Sequence, residues 1–552
     1  MHQQRPATLV VIAMVIILPG VARAGRRRES PITEADMAVS FAAAPSPLRL
    51  AIERALVEET GGSDPLTPEH APALLLPEPV LSLPPEPGPS EVVEDDDRTD
   101  DSSDPFAHSP AARRAFIGPC KGACRWISGT LALAGVGALA SLDEESNASI
   151  GNWTRQVPWL AGLTMTLVGK DYKGLEQMSL AAGSALFATW GLKRVAGKER
   201  PNASSDTSYT SGHATAGFVG ASFVYRRYGP RWGVPAWVLA AYTGATRVYA
   251  ERHYVDDVLS SLSVSLVSNW LFTTPISERV AINPSLAENG FGFTMSVATT
   301  REPGGESLEE STGRQPRFRY QWELGPATVT ENSVTAPNEG GGPLDFRFDE
   351  LNNPLYTTRI DFDWRPSSVR RQDALFSFAP FEIREFGSFD QDTEFAGETF
   401  PAGQDLRSRS VAYDLTGVYR WRLIPEGRFD LRAGGGVAVL YTLAGLAPVE
   451  RRDADGHLDF TEADTLDVLP ILHLHLGYAF GKRQRWTIMA EGSGMDLSGN
   501  RFLDATAQFG FRISPRWDVN LGVRRTERSI DAGSLANSIN WDQYVMAIGY
   551  RF

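Results

Sequence analysis

Cysteine is nearly absent: Cys120 and Cys124 are the only two in 552 residues. One local pair cannot frame a chain of this length. Their spacing fits a short bridge or two reduced positions on a helix equally well. Histidine is scarce too, at eight, and no histidine or cysteine pairing has the spacing of zinc ligands. A basic excess is missing: 53 Lys and Arg against 67 Asp and Glu leave a net charge of −14. That balance argues against a nucleic-acid partner, which calls for a basic face. Long apolar runs are missing as well. Most fall short of the about 20 residues that a membrane-crossing helix needs, and Trp126–Leu142 and Val258–Phe272 come nearest.

What is there divides the chain into four. Residues 1–24 have the form of a secretory signal: Arg5, an apolar run from Thr8 to Leu18, and the small-residue site Ala22-Arg23-Ala24. Residues 25–115 are rich in Pro, Ala, Ser and acids, a composition that cannot offset the entropy of ordering, so a disordered linker is expected. From 116 to 284 the apolar runs have helical length and are diluted by Ala, Gly, Ser and Thr, which points to an all-α helical bundle. The expected helices are Trp126–Leu142, Val157–Val168, Met178–Leu192, Ala214–Tyr225, Trp232–Thr246 and Val258–Phe272.

Three polar clusters punctuate that bundle. Lys193 and Arg200 are two helical turns apart and project from one face, and Pro201 ends the helix behind them. Ser211-Gly212-His213 precedes the apolar run from Ala214, so a small turn sits at a helix N-terminus, where free N–H groups favour an anion. Arg247, His253 and Asp257 follow, with the last two at i,i+4, close enough for a carboxylate to orient an imidazole. Three cations, a helix N-terminus and two histidines describe a phosphate pocket with an acid and a nucleophile. Arg194 and Lys198 are expected to be solvated surface charge.

The pattern K-x6-RP, then SGH, then R-x5-H-x3-D resembles the type 2 phosphatidic acid phosphatase superfamily, which includes bacterial class A acid phosphatases and vanadium haloperoxidases. Thr210 stands where the family has proline and Thr246 where it has serine. The resemblance implies a helical bundle and a metal-independent phosphatase. In that reading His253 attacks phosphorus to form a phosphohistidine, and Asp257 holds its other ring nitrogen. His213 protonates the leaving oxygen and later activates water. Lys193, Arg200 and Arg247 bind the phosphate oxygens with Ser211 and Gly212. No metal or cofactor is implied, and vanadate enters only under a second reading, as a haloperoxidase.

From 285 to 552 the texture changes to strict alternation, as in Trp517–Arg524, where Trp517, Val519, Leu521 and Val523 share one face. The same period-2 pattern marks Phe318–Leu324, Tyr356–Trp364, Val411–Leu423, Phe429–Tyr441, Leu472–Phe480, Ala505–Ile513 and Tyr544–Phe552. Strands of this kind with aromatic ends predict an antiparallel transmembrane β-barrel of about 10–12 strands, an even number. The terminal Phe552 resembles the C-terminal signal of bacterial outer-membrane proteins. His473 and His475, alternating with leucines, are expected to face the lumen. The whole predicts an outer-membrane protein of a Gram-negative bacterium with its catalytic domain in the periplasm. Its partners would be a phosphorylated lipid or small phosphomonoester and the lipids around the barrel. The non-enzyme alternative is a porin or adhesin carrying a vestigial helical domain.

Overall fold

The computed structural model describes residues 36–42, 144–273, 280–287, 290–298, 318–335, 343–348, 355–365, 371–424, 427–453, 457–531 and 535–551. The expected signal segment, both cysteines, the Trp126–Leu142 helix and Phe552 lie outside them. Six helices are described: α1 (Glu144–Thr154), α2 (Val157–Val168), α3 (Tyr172–Ala196), α4 (Gly212–Tyr228), α5 (Pro230–Tyr249) and α6 (Val255–Thr273). The middles of α2 to α6 coincide with the expected apolar runs, whereas polar α1 was not among the expected helices, and polar residues set several of the ends. Asp171 caps α3 by accepting from the Gly174 N–H at 3.2 Å, and Gly197, at φ 54°, ends it in the left-handed conformation that glycine adopts without strain. Ser211 caps α4 by accepting from the Ala214 N–H at 3.3 Å.

α3 to α6 run alternately up and down, so the end of α3, the start of α4, the end of α5 and the start of α6 meet at one end of the bundle. α6 is central and buried along almost its whole length despite five serines. Ser261, Ser263 and Ser265 bond back to carbonyls four residues earlier at 2.8–2.9 Å, which satisfies their hydroxyls inside the core. A Cβ on Gly220 would stand 2.6 Å from the Trp159 nitrogen, so α2 and α4 cross at backbone contact. Among the described residues, no helix is long and apolar enough to cross a membrane.

Three strands, β1 (Asp36–Ala42), β2 (Val280–Ala287) and β3 (Gly290–Ala298), form a small antiparallel sheet in the order β1-β3-β2. β1 is the part of the 25–115 segment that the structure describes. The barrel itself opens at Phe318. Its ten strands are β4 (Phe318–Thr335), β6 (Leu355–Trp364), β7 (Gln372–Gly387), β10 (Leu406–Arg422), β11 (Phe429–Pro448), β12 (Thr461–Phe480), β13 (Trp486–Leu497), β14 (Asn500–Arg512), β15 (Trp517–Asp531) and β16 (Ala536–Arg551). Each pairs antiparallel with the next, and β16 pairs back onto β4 with Tyr550 opposite Tyr320, which closes the ring. Short β5 (Leu344–Asp345) leans on β4, and β8 (Thr393–Phe395) pairs with β9 (Glu398–Phe400) in the connection before β10. The count of ten lies within the range that the alternation predicts. β7 and β13, absent from the sequence reading, complete it.

Along each strand one row faces the lumen and the other faces out. The lumen row is charged and mutually paired: Arg524 bridges Glu323 at 2.7 Å and Asp504 at 2.5 Å, and Arg359 pairs with Asp361 at 2.7 Å. His473 and His475 face the lumen as expected, bonded to Ser493 and Glu491, each at 2.8 Å. The outer row is mostly apolar, with Glu382, Arg384 and Arg409 on β7 and β10 as charged exceptions. On β12 it is bare, with Leu472 65% and Leu474 56% exposed.

On β4, β6, β7 and β10 the outer row is covered. Tyr320, Trp322, Ile360, Phe378, Val411 and Tyr413 are all buried, and they share one apolar core with Val258, Leu262, Leu266 and Trp270 of α6. The helical bundle therefore lies against the outside of the barrel wall. Trp270 stacks on Tyr550 with ring centres 4.5 Å apart and meets Tyr320 edge-on at 5.4 Å. The Ser263 and Tyr320 hydroxyls bond at 2.8 Å, as do those of Tyr209 and Thr358.

Candidate active site

The three polar clusters arrive from four helix ends and are tied together by the loop from Gly197 to Ser211. Lys193, on the last turn of α3, donates to the Thr207 carbonyl at 2.6 Å. The Arg200 N–H donates to the Ser205 carbonyl at 2.8 Å, folding the loop back on itself. Ser211 is the cap of α4, with Gly212 and His213 in its first turn, and its carbonyl accepts from the Ser261 hydroxyl of α6 at 2.9 Å. Arg247 ends α5, where its guanidinium donates to Asn152 of α1 at 3.1 Å and its carbonyl accepts from the His253 N–H at 3.2 Å. Lys193, Arg200, Ser211, His213, Arg247, His253 and Asp257 are all buried, at one end of the bundle.

His253 is oriented on both sides. Its Nδ1 lies 2.8 Å from the Ser208 carbonyl and 3.6 Å from Asp257 Oδ2. A carbonyl only accepts, so Nδ1 carries the hydrogen in this contact, and the tautomer with its hydrogen there has its lone pair on Nε2. Holding the other ring nitrogen was expected of Asp257 alone. The Ser208 carbonyl stands closer and shares that work. Asp257 Oδ2 also accepts from the Tyr254 N–H at 2.9 Å and from the Ser208 hydroxyl at 2.5 Å. One carboxylate thus fixes the imidazole and the loop that carries its second partner.

Lys198 departs from expectation. It is buried rather than solvated, and its ammonium reaches Asp256 at 2.7 and 2.8 Å and Asp257 at 3.3 Å. It also sits 4.3 Å from the Tyr254 ring centre. Burial pushes the Asp257 carboxyl up, but Lys198, the neighbouring His253 ring and the hydrogen bond from the Ser208 hydroxyl more than offset this and hold it well below the usual carboxylate range. Burial pushes Asp256 up to about 7, with Asp257's charge adding and Lys198 opposing. Burial lowers Lys198, and the two carboxylates more than reverse that. The carboxylate beside the histidine is the one that stays ionised. Lys198, Ser208 and Asp256 were missed from the sequence. The available signal was the adjacent acids Asp256-Asp257 opening an apolar helix, which need a buried cation.

The arrangement offers a ring nitrogen as nucleophile, a second imidazole at a helix N-terminus, and three cations at one end of the bundle. That set suits attack on a tetrahedral oxyanion.

The sequence model of the PAP2 superfamily matches residues 176–280, the stretch that holds all three clusters. The lipid A 4'-phosphatase of Helicobacter pylori is 32% identical over 136 residues, covering 23% of this chain and 68% of that protein. The lipid A 1-phosphatase of Porphyromonas gingivalis is 31% identical over 175 residues, covering 29% of this chain and 38% of that protein. Among solved structures, the outer membrane protease OmpT of Escherichia coli is 10% identical with a TM-score of 0.29, covering 43% of this chain and 97% of its own. That likeness is too slight to add to what the barrel's own closure establishes. The motif segment, matched to the family and to a relative across two thirds of that relative's length, makes this chain a member of the PAP2 superfamily.

Proposed function

We propose that this protein is a metal-independent phosphatase that hydrolyses a phosphate ester of a membrane lipid, anchored in an outer membrane by its barrel. The observation that carries this reading is the convergence of Lys193, Arg200, Ser211 and His253 on one loop, with the Arg247 carbonyl accepting from the His253 N–H and Asp257 held ionised beside His253. His253 Nε2 forms a bond to phosphorus as the ester oxygen leaves and takes a proton from His213. Water, deprotonated by His213, then breaks the P–N bond and releases phosphate. Lys193, Arg200 and Arg247 neutralise the charge that spreads over the non-bridging oxygens in both steps.

Relatives that are lipid A phosphatases favour a phosphorylated lipid of the lipid A type over phosphatidic acid or an isoprenoid pyrophosphate. The closed barrel with a bare apolar outer row supports the outer membrane as its setting. Phosphate release from a panel of these lipids and of soluble phosphomonoesters, with EDTA present throughout, tests the proposal. His253→Ala should lower the rate by at least ~10²–10⁴-fold. An inert parent protein, or a His253→Ala variant as fast as the parent, would end this reading.

A further inference from the structure

The helical bundle is not a domain hanging beyond the barrel, because it lies along the barrel's outer wall over the wall's height. That placement gives the bundle a direction. Barrel strands of outer-membrane proteins are joined by short turns on the periplasmic side and longer loops outside. Here the connections at one end are 365–371, 423–428, 481–485 and 513–516. At the other end they include 336–354, 388–405 and 449–460, beside the short 498–499 and 532–535. The C-terminal end of α6 packs at the short-turn end, where Trp270 meets Tyr550 and Trp517. The N-terminal end of α6 and the site loop lie at the long-loop end. There Arg384 pairs with Glu251 at 3.0 Å and donates to the Pro201 carbonyl at 3.0 Å, and Arg407 pairs with Glu199 at 2.7 Å. These partners adjoin Arg200 and His253 in the sequence.

With the exception of Arg155, whose Cα stands beside Gly217 and Ala240 within the intervening height, the charges of the bundle fall at the same two levels. One group, Lys170, Asp171, Lys173, Glu176, Arg226, Arg227 and Arg231, marks the short-turn level, and the site residues mark the other. Between them α3 has no charge over 177–192, α5 none over 232–246 and α6 none over 258–273. At 1.5 Å per residue these stretches are roughly 22–24 Å tall, close to the apolar band of about 25 Å on an outer-membrane barrel. The faces turned away from the barrel are apolar: Leu160 (48% exposed), Leu167 (52%) and Val168 (64%) on α2, and Phe187 (57%) on α3. Tyr172 and Trp232 are exposed at one level and Trp153 at the other, where interfacial aromatics belong. Among the described residues, no helix is long and apolar enough to cross a membrane alone. In this arrangement none has to be, since the serine-bearing faces of α6 are buried and only the outer surface meets lipid.

We infer that the helical bundle is itself embedded in the bilayer, alongside the barrel wall, with the phosphate site opening at the long-loop rim. The occupant of the exposed apolar faces is lipid, and the substrate is a phosphate carried on a head group of the cell-surface leaflet. The substrate half of this inference rests on the phosphatase reading. The sidedness half does not.

The test uses the full chain in intact cells and a membrane-impermeant maleimide. Ser204→Cys places a thiol on the exposed site loop, and Arg231→Cys places one at the opposite level. Labelling above that of the parent chain is expected for Ser204→Cys in intact cells, and for Arg231→Cys only after the outer membrane is permeabilised. Any other pattern overturns the inference: both thiols protected until permeabilisation, both labelled without it, or the reverse order. Phosphatase activity of the same proteins in detergent is measured alongside. Absent activity with the expected labelling would defeat the function and leave the placement standing, and the converse result would do the opposite.

Discussion

Replacing Lys198 by methionine removes one ammonium and strands two carboxylates. Lys198, Asp256 and Asp257 are 5%, 2% and 0% exposed, so water cannot take over the lost contacts. Breaking a buried pair by removing one partner costs about 3–5 kcal/mol, most of it the uncompensated charge left behind. The fold has one inexpensive response, protonation of Asp256, whose carboxyl burial has already pushed up to about 7. The deficit therefore depends on pH. A carboxyl raised in the folded state contributes stability that is present below its unfolded value of about 3.9 and is lost as pH rises through the folded value. Without Lys198 that folded value moves higher still. The variant should be closest to the parent in mild acid and fall furthest behind above pH 7. Thermal unfolding in detergent, followed by tryptophan fluorescence at pH 5 and pH 8, reads the difference. Lys198→Met combined with Asp256→Asn should recover much of the loss at pH 8. Activity should show a second effect, because Asp257 loses its strongest attractive partner and the acid limb of the rate profile moves upward. Equal midpoints for parent and Lys198→Met at both pH values would refute the reasoning.

Asp171 accepts from Arg227 at 2.7 and 2.9 Å, from Tyr228 at 3.0 Å and from the Gly174 N–H, and Arg227 holds its carboxyl below the ordinary range against the opposing effect of burial. Asp171→Asn should destabilise by about 3–5 kcal/mol at neutral pH. The parent should lose the same contribution as pH falls through the depressed folded value, so acid titrations of the two proteins should converge. Trp270→Ala empties the stack between α6 and the strand pair β4 and β16, a loss of about 3–5 kcal/mol for a buried tryptophan. It should loosen the bundle while the barrel stays closed, which limited proteolysis reports as early cuts confined to 144–273.

The site was legible because its chemistry is written in fixed spacing: Lys193 to Arg200, and Arg247 to His253 to Asp257, can be counted along the chain. Helices α2 to α6 were legible by their apolar middles, with α2 read at its observed limits, while α1, EESNASIGNWT, has no apolar run and was missed. The others extend by a few residues into caps such as Asp171 and Ser211, whose polarity hides them from a hydropathy reading. The barrel was legible as alternation, yet alternation says only that a row is apolar, not what covers it. Tyr320, Trp322 and Ile360 read like Leu472 and Leu474, although a helix covers the first group and the second is exposed among the described residues. The better clue was Glu382, Arg384 and Arg409, charges in the outward row of β7 and β10, which pair among themselves and with Glu251. Lys198 was misread because isolated lysines are nearly always solvated, and its two acids come from a helix 58 positions on.

Tyr209 stands two residues before the cap of α4, and its hydroxyl is bonded to Thr358 of the wall. The segment that carries the Ser208 carbonyl to His253 is thus braced by a strand more than a hundred residues downstream. The helical third is consequently no detachable cassette: excised from its strands, it would lose the brace behind the carbonyl that orients His253.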